Sequence, residues 1–564
     1  MYAPPAQTPP AVTRPALPRG ACAGESISRI EIHRHAPSPR TAAQRATEAP
    51  EVEAETDPRR TRALLAYVRL APGRPCSERD RRESERMLRA QPYLSSAQIT
   101  ARPEPDGRVR LRIDVVDEFP WLLSGRVTEA GVAAVRVGTL DLQQRGRSVS
   151  IGAERGGAYR DGAGLRFAQY GIFHLPAVAT LAVERRPLGA LLEFGVSSPF
   201  LSVLQREAFD AGLAQETEYT SLLRPGQVAG AVRTQRSAWH LGWVHRLGPF
   251  RDDRVLGLAG VMLVGADVRT TNAVVVVTDS GLVGVGDSVL IGRFADHGVS
   301  RLALLGGARA LRFITVRRFD ALRAAQDVGV GTQVSLMVAP AAWRPSVVRD
   351  LLVAGDLYAG VGSPASFASV SARAEARPTN GLATGRWAGV VVSSRLSWHR
   401  LASARRTRVV SLSVASLHGL DFPAQLDLRD PDGGLIAFPS ANDAGGQRAV
   451  ARLEERVLLP GISRRLDAGL ALFIDGGRVW AGDAPYGVDS PVRSSAGIAI
   501  LAAIPAGGKR MYRLDIGLPI GPVDGGPRLA LRFSVADRTG VGWAEPMDVT
   551  RARSGSGRMS LMRW

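Results

Sequence analysis

The chain has 564 residues, a formal net charge of +19 and a mean hydropathy of −0.02. It contains no uncharged apolar run of about eighteen residues, which excludes a membrane-spanning helix but not a spanning strand, which needs only about ten residues with alternate ones apolar. The arginines are scattered, with no long basic run and no nucleic-acid motif, which argues against a nucleic-acid partner.

Almost all the positive charge is arginine, with Lys509 the only lysine. Arginine of this abundance suits a barrel lumen or anionic lipid headgroups, and equally a biased composition. Residues 1–24 are rich in proline and alanine and read as a disordered segment. They lack the apolar core of a secretory signal, although Ala21-Cys22-Ala23 has the small residues of a cleavage site. Cys22 and Cys76 make no metal spacing; a disulfide between them is allowed but not required.

Ile27–His33 (ISRIEIH) alternates in its latter part as a half-buried strand does, with Ile30 and Ile32 as its apolar positions. A polar loop covers 36–58. Arg59–Leu70 carries Leu64, Leu65, Val68 and Leu70 at helical spacing and stops at Ala71-Pro72-Gly73. Ser77 suits an N-cap for a second helix through Ala90, anchored by Met87 and Leu88. Strands follow over Ser95–Ala101, which contains Ile99, and Arg108–Val116, joined by the turn Pro103–Gly107. In the latter, Val109, Leu111, Ile113 and Val115 face one way, and Arg108, Arg110, Arg112 and Asp114 the other.

From Glu118 onward the helical period fades. Short alternating segments recur between Gly, Asp and Pro turns, among them Ser148–Arg155, Ala179–Arg185, Ala238–Val244, Gln333–Val338 and Arg408–Ser413. Many short strands over roughly 400 residues point to a large barrel or a series of sandwiches, and the lack of a fixed repeat argues against a propeller. Aromatics make up 6% of the chain, few for a barrel with two aromatic girdles. In the last third, the Gly-rich stretch Gly433–Ser440 precedes five strand-like segments: Gln447–Leu458, Ala468–Trp480, Arg493–Ala503, Met511–Leu518 and Arg528–Ala536. Past them, 538–564 is either a tail or holds the true final strand, since Arg558–Trp564 partly alternates and ends in an aromatic.

The strand-helix-helix-strand-strand order of 25–117, with Leu70-Ala71-Pro72-Gly73, the Glu83–Arg89 run and Gln91-Pro92-Tyr93-Leu94, resembles a POTRA domain. The Gly-rich loop, the five segments after it and Phe473-Ile474-Asp475-Gly476-Gly477 resemble the end of the BamA/TamA-type assembly and translocation barrels. The resemblance implies an all-β transmembrane barrel of about sixteen antiparallel strands over 118–537, behind a small α+β domain of β-α-α-β-β order. It implies a lumen loop at Gly434, Leu435, Ile436, Ala437 and Phe438 set against a wall motif at Phe473, Asp475 and Gly477. One departure matters. Ile436 stands where the family carries an arginine, and Ala437 where it carries glycine. A carboxylate inside a barrel is costly without a partner, so Asp475 must find another arginine (Arg448, Arg452, Arg478 and Arg493 are near in sequence), keep water or take a proton. Val316-Arg317-Arg318-Phe319 looks like the missing motif but lies too early in the chain.

The chain carries no nucleotide cradle and no nucleophile elbow. His33 and His35 share a strand face and read as surface polar residues rather than metal ligands. The Asp252-Asp253 and Glu454-Glu455 pairs have no base or metal beside them. The reading is therefore of a non-enzyme without cofactor. The resemblance implies an outer-membrane protein with its N-terminal domain in the periplasm. It would capture unfolded outer-membrane or secreted clients by strand addition at Ile30, Ile32 or Ile99 and pass them through a lateral gate. Lipid and lipopolysaccharide would surround it, and periplasmic accessory proteins are further partners. A passive pore and a two-partner secretion transporter are the alternatives.

Overall fold

The computed structural model describes Gly20 and residues 22–37, 54–128, 131–156, 159–225, 229–250, 255–278, 281–287, 289–290, 293–294, 296–343, 351–378, 387–430, 433–437, 443–460, 465–521, 529–537 and 544–553. The N-terminal unit comprises β1 (Ile27–His35), α1 (Pro58–Leu65), α2 (Glu78–Arg89), β2 (Leu94–Pro103) and β3 (Val109–Asp117). The sheet order is β1-β3-β2, with β1 parallel and β2 antiparallel to β3. Leu111, Ile113 and Val115 alternate onto a core that also takes Leu64, Tyr67, Met87, Leu88, Leu94 and Ile99. Fully burying each of the aliphatic side chains contributes about 1.5–3 kcal/mol.

Ser77 caps α2, its Oγ accepting from the Asp80 amide at 3.3 Å. α1 ends five residues earlier than the apolar spacing predicts. The Tyr67 and Val68 amides bond three residues back, to Leu64 and Leu65, which tightens the chain out of the α-helix while Tyr67 and Leu70 still reach the core. Cys22 and Cys76 form a disulfide, Cα–Cα 5.1 Å. The Gly24 amide donates to Cys76 O, and the Ala101 amide to Gly20 O. Residues 20 and 22–24 are thus pinned to the domain, against the expectation of disorder; 1–19 and 21 lie outside the described residues. Glu78 accepts from Arg81, Arg82 and the Cys22 amide. Burial would raise its carboxyl, but these bonds outweigh it and hold it at about 2.

Most of the described strands after residue 117 form one closed antiparallel barrel. Its wall runs through β4 (Trp121–Thr128), β5 (Gly131–Thr139), β6 (Arg147–Glu154), β7 (Gly162–Tyr170), β8 (Val178–Arg186), β9 (Gly189–Ser198), β10 (Glu207–Leu222), β11 (Gly230–Phe250) and β12 (Val255–Thr278). A short arm, β13 (Gly281–Val285), pairs with the far end of β12. The wall continues through β14 (His297–Arg317), β15 (Ala325–Trp343), β16 (Leu351–Gly362), β17 (Ser366–Pro378), β18 (Trp387–Leu401) and β19 (Arg406–His418). Two-residue strands β20 (Leu426–Asp427) and β21 (Ala444–Gly445) form a separate small sheet. The ring then closes through β22 (Gln447–Leu458), β23 (Asp467–Trp480), β24 (Arg493–Ala503), β25 (Arg510–Ile520) and β26 (Ala530–Asp537), which pairs with β4.

Leaving out the β13 arm, twenty described strands make the wall, not the sixteen expected. Sixteen came from the resemblance and not from counting pleats. Ala259, Gly260, Gly265 and Ala266 sit on both faces of β12, and such small residues blur the alternation that would let strands be counted from sequence. The apolar runs Val255–Val268 and Ala273–Val277 belong to a single strand. In the described part of the tail lies a short helix, α3 (Met547–Arg551). Arg558–Trp564 lies outside the described residues.

Directly paired residues share a face of the sheet. On one face run Leu453, Ile474, Ala496 and Leu518, of which Leu453, Ile474 and Leu518 are exposed. On the other run Arg452, Asp475 and Ser495, with Asp475 and Ser495 buried. The same outward pattern recurs around the ring, at Val137, Ile151, Leu165, Val183, Leu192, Leu213, Trp239, Leu304, Leu336, Leu357, Leu396, Leu412 and Ile500.

The N-terminal unit is docked across one mouth. Arg89 makes a two-pronged pair with Asp327 at the foot of β15, both contacts 3.1 Å. Arg86 lies over the Phe313 ring at 4.0 Å. Arg34 joins Asp117 at 2.7 Å and reaches Asp141 in the β5–β6 turn. Gly146 and Gly171, at φ 67° and 65°, bring two barrel turns against α1; a Cβ on either would lie 2.8 Å from Ala63.

Candidate functional site in the barrel lumen

The inward face of the wall is polar and its bore is occupied. The segment between β19 and β22 enters from the mouth opposite the N-terminal unit. The Ile436 amide donates to Asp475 Oδ2 at 3.0 Å. Arg452, opposite Asp475 in the β22–β23 register, donates through Nη2 to the same oxygen at 3.2 Å and to Gly434 O at 3.1 Å. The Ser495 hydroxyl donates to the other carboxylate oxygen. The Asp475 side chain is fully buried. A backbone N–H, a wall arginine and a hydroxyl together supply the donors that this buried carboxylate requires.

Leu435 packs with Leu428, Val450 and Val479. Ala437 is buried against the wall at Gly517, where a Cβ would lie 2.4 Å from that of Ala437. Phe473 points inward beside Gly497, where a Cβ would meet its ring at 2.7 Å. A Cβ on Gly477 would lie 3.2 Å from Leu428. The structure therefore gathers Gly434, Leu435, Ile436, Ala437, Phe473, Asp475 and Gly477 in one place; Phe438 lies outside the described residues. Ile30, Ile32 and Ile99 sit far away in the N-terminal unit, on its two edge strands. The edge at Ile99 is engaged, its amide donating to Glu85 and its carbonyl accepting from Arg81. On β1, Ile32 O accepts from the Glu55 amide, and Ile27 bonds with Gly73 and Arg74.

Of the four arginines near Asp475 in sequence, Arg452 alone is hydrogen-bonded to it. Arg493 pairs with Asp443 at 3.0 Å, Arg478 lies over Trp480 at 5.3 Å, and Arg448 holds Asp548 at 2.6 Å. The two-residue period puts Arg448, Arg452 and Arg493 all on the Asp475 face, and the pairing register alone sets Arg452 directly opposite it.

Two further intrusions were not read from the sequence. The β14–β15 turn folds into the lumen near the docked unit. Phe319 O accepts from Arg456 at 2.7 Å, Asp320 lies 3.4 Å from His399, Arg323 pairs with Asp467 at 3.1 Å, and Leu322 packs on Ala471, Leu501 and Met511. The Val316–Phe319 stretch is thus the end of β14 and the start of this turn. Beside it, Glu454 is held by Arg456 and by Arg513, the latter at 2.8 Å, and Arg513 also binds Asp515 at 2.7 Å. The second intrusion is the tail, in which Glu545 pairs with Arg373 at 2.9 Å and Arg551 with Glu218 at 3.0 Å. His35 pairs with Asp114 at 3.1 Å, so it is not a lone surface group. These groups neutralise and hydrogen-bond one another, and the described residues hold no cluster of metal-ligating side chains.

The geometry defines a class: a closed antiparallel barrel, apolar outside and charged inside, filled by its own loops and capped at one mouth by a small sheet-and-helix unit. Among solved structures, the chain is similar to CdiB from Escherichia coli, with 12% identity over 91% of this chain and 76% of that one, at a TM-score of 0.46. It is also similar to BamA from Haemophilus ducreyi lacking POTRA domains 1–3 (10% identity, 91% and 85% covered, TM-score 0.39) and to CdiB from Acinetobacter baumannii (10%, 91% and 74%, 0.39). No protein-family model and no curated protein matches the sequence.

Proposed function

We propose that this protein is an outer-membrane barrel that inserts or translocates other polypeptides, with its N-terminal unit acting in the periplasm as a POTRA-type module. The observation that carries the reading is the wall itself. Leucine, isoleucine and valine are exposed on its outer face around the ring, while arginines and carboxylates line the inside. Water would penalise that exterior over a far larger area than soluble proteins expose, and lipid would not. Ring closure leaves no unpaired strand edge in the hydrocarbon. A Cys22–Cys76 disulfide suits the oxidising periplasm.

Clients would be polypeptides rather than small solutes, since the bore is occupied. β4 and β26, eight residues each, form a short seam in a wall whose longest strand has 24 residues. That seam is the lateral gate in this reading, because a short ladder opens at least cost and a client strand would gain by filling it. On the N-terminal unit, the stretch of β1 at Ile30, between the bonds that Glu55 makes to Ile32 and Gly73 and Arg74 make to Ile27, is the strand-addition edge in this reading, since Arg81 and Glu85 engage Ile99. Lipopolysaccharide would border the wall, and accessory proteins would meet the periplasmic unit.

Membrane fractionation and heat-modifiable electrophoresis test the barrel assignment. Deleting residues 25–117 tests the rest: the barrel should still fold and client insertion or secretion should stop. Client handling that survives the deletion, or a chain that stays in the soluble fraction, refutes the proposal.

A further inference from the structure

The tail is not an appendage, because it crosses the bore. Its contacts on one side fall on β10 and β11: Arg551 pairs with Glu218 at 3.0 Å, and Arg236 donates to Arg551 O at 3.4 Å. On the other side they fall on β17, β18 and β22. Glu545 takes Arg373 at 2.9 Å and the Ser393 hydroxyl. Arg553, its side chain almost fully buried, donates to Glu545 at 2.9 Å, to Ser393 Oγ at 3.0 Å and to Val391 O at 3.2 Å, with Glu375 at 3.6 Å. Asp548 receives both Nη atoms of Arg448, at 2.6 and 3.2 Å. β10 and β22 stand nine strands apart in a ring of twenty, nearly opposite. Between the charges, Val549 and Ala552 are buried against Val391, Ala415, Leu417, Phe422 and Leu426.

Two facts separate this from a stray tail. α3 spans five residues, too short to hold a helix by itself in water. Its order must come from the wall around it. And each carboxylate or guanidinium of the segment meets an opposite charge on the wall, while Val549 and Ala552, though not the exposed Met547, meet an apolar patch built by β18, β19 and the β19–β22 segment. We propose that the inner wall carries a peptide-binding site, and that residues 544–553 are its resident, removable plug. The site takes a short segment with carboxylates three residues apart, then two arginines, with small apolar residues between. The inference rests on the membrane-barrel reading, since a plug has meaning only in a bore across a membrane.

The test deletes residues 538–564 and measures conductance in planar bilayers, with heat-modifiable migration showing that the barrel has folded. Conductance should rise severalfold. A synthetic peptide of residues 544–553 should bring it back down, and one carrying Glu545→Arg and Asp548→Arg should not. If the deletion does not fold, the full-length Glu545→Arg/Asp548→Arg variant replaces it, and its conductance should rise in the same way. Wild-type conductance in a folded deletion or variant overturns the plug while leaving the membrane reading intact. A full-length chain that never enters the bilayer overturns both.

Discussion

Replacing Asp475 by alanine should destabilise the barrel by about 3 kcal/mol and free the lumen loop. The carboxylate accepts from the Ile436 amide, the Ser495 hydroxyl and Arg452, and its side chain has no exposure. Alanine leaves the Ile436 N–H without an acceptor, which costs about 1–3 kcal/mol when buried. Arg452 keeps Gly434 O and is a quarter exposed, so it can turn to lumen water. The loss therefore falls at the low end of the about 3–5 kcal/mol for breaking a buried pair. Arg452→Ala should cost at least as much, because it strands a covered carboxylate. The double variant should recover about 2 kcal/mol of coupling. Urea unfolding in detergent, followed by loss of the fast-migrating form, measures the midpoints; limited proteolysis across 430–443 reports loop release. An Asp475→Ala protein with the wild-type midpoint and an uncut loop, or zero coupling in the cycle, refutes the reasoning.

Two further outcomes concern the N-terminal unit. The disulfide spans 54 residues of sequence, and closing a loop of that length restricts the unfolded chain by about 4 kcal/mol at most; reductant or Cys22→Ala/Cys76→Ala should therefore open residues 22–117 to trypsin while barrel migration stays unchanged. Glu78, depressed from 4.5 to about 2, contributes stability that is present above its unfolded pKa near 4.5 and lost as pH falls through about 2. The shift corresponds to ~3 kcal/mol, which solvent screening at this partly covered surface cuts to about 1 kcal/mol. Hydrogen exchange in α2 measured from pH 5 to 2 should show that slope, and Glu78→Gln should flatten it; an unchanged slope in the variant removes Glu78 as its source.

Legibility in the sequence followed the local signals. Ser77 marked the start of α2, and Val109, Leu111, Ile113 and Val115 marked β3, because capping and two-residue alternation are local. The five strands after the lumen loop were readable for the same reason: in β23 the exposed Leu470, Leu472 and Ile474 alternate with the buried Ala471, Phe473 and Asp475. The strand count was not readable, because alanine and glycine on both faces of strands such as β12 erase the alternation. The Asp475 partner was half readable; Arg452 stood among four candidates, and only register distinguishes them. The tail was opaque. Glu545, Asp548 and Arg553 look like an ordinary solvated stretch until the wall supplies Arg373, Arg448 and Glu375 from residues up to 180 positions away.

Twenty strands tilted as barrels require would enclose a cylinder about 40 Å across, backbone to backbone. In the membrane reading proposed above, a hollow tube of that width would pass nutrients, toxins and antibiotics alike and collapse the selectivity of the envelope around it. On that reading, sieving falls to residues that contribute nothing to the hoop, such as Asp320, Ile436 and Glu545. Damage to them would show first as a leaky cell, well before any loss of folded protein.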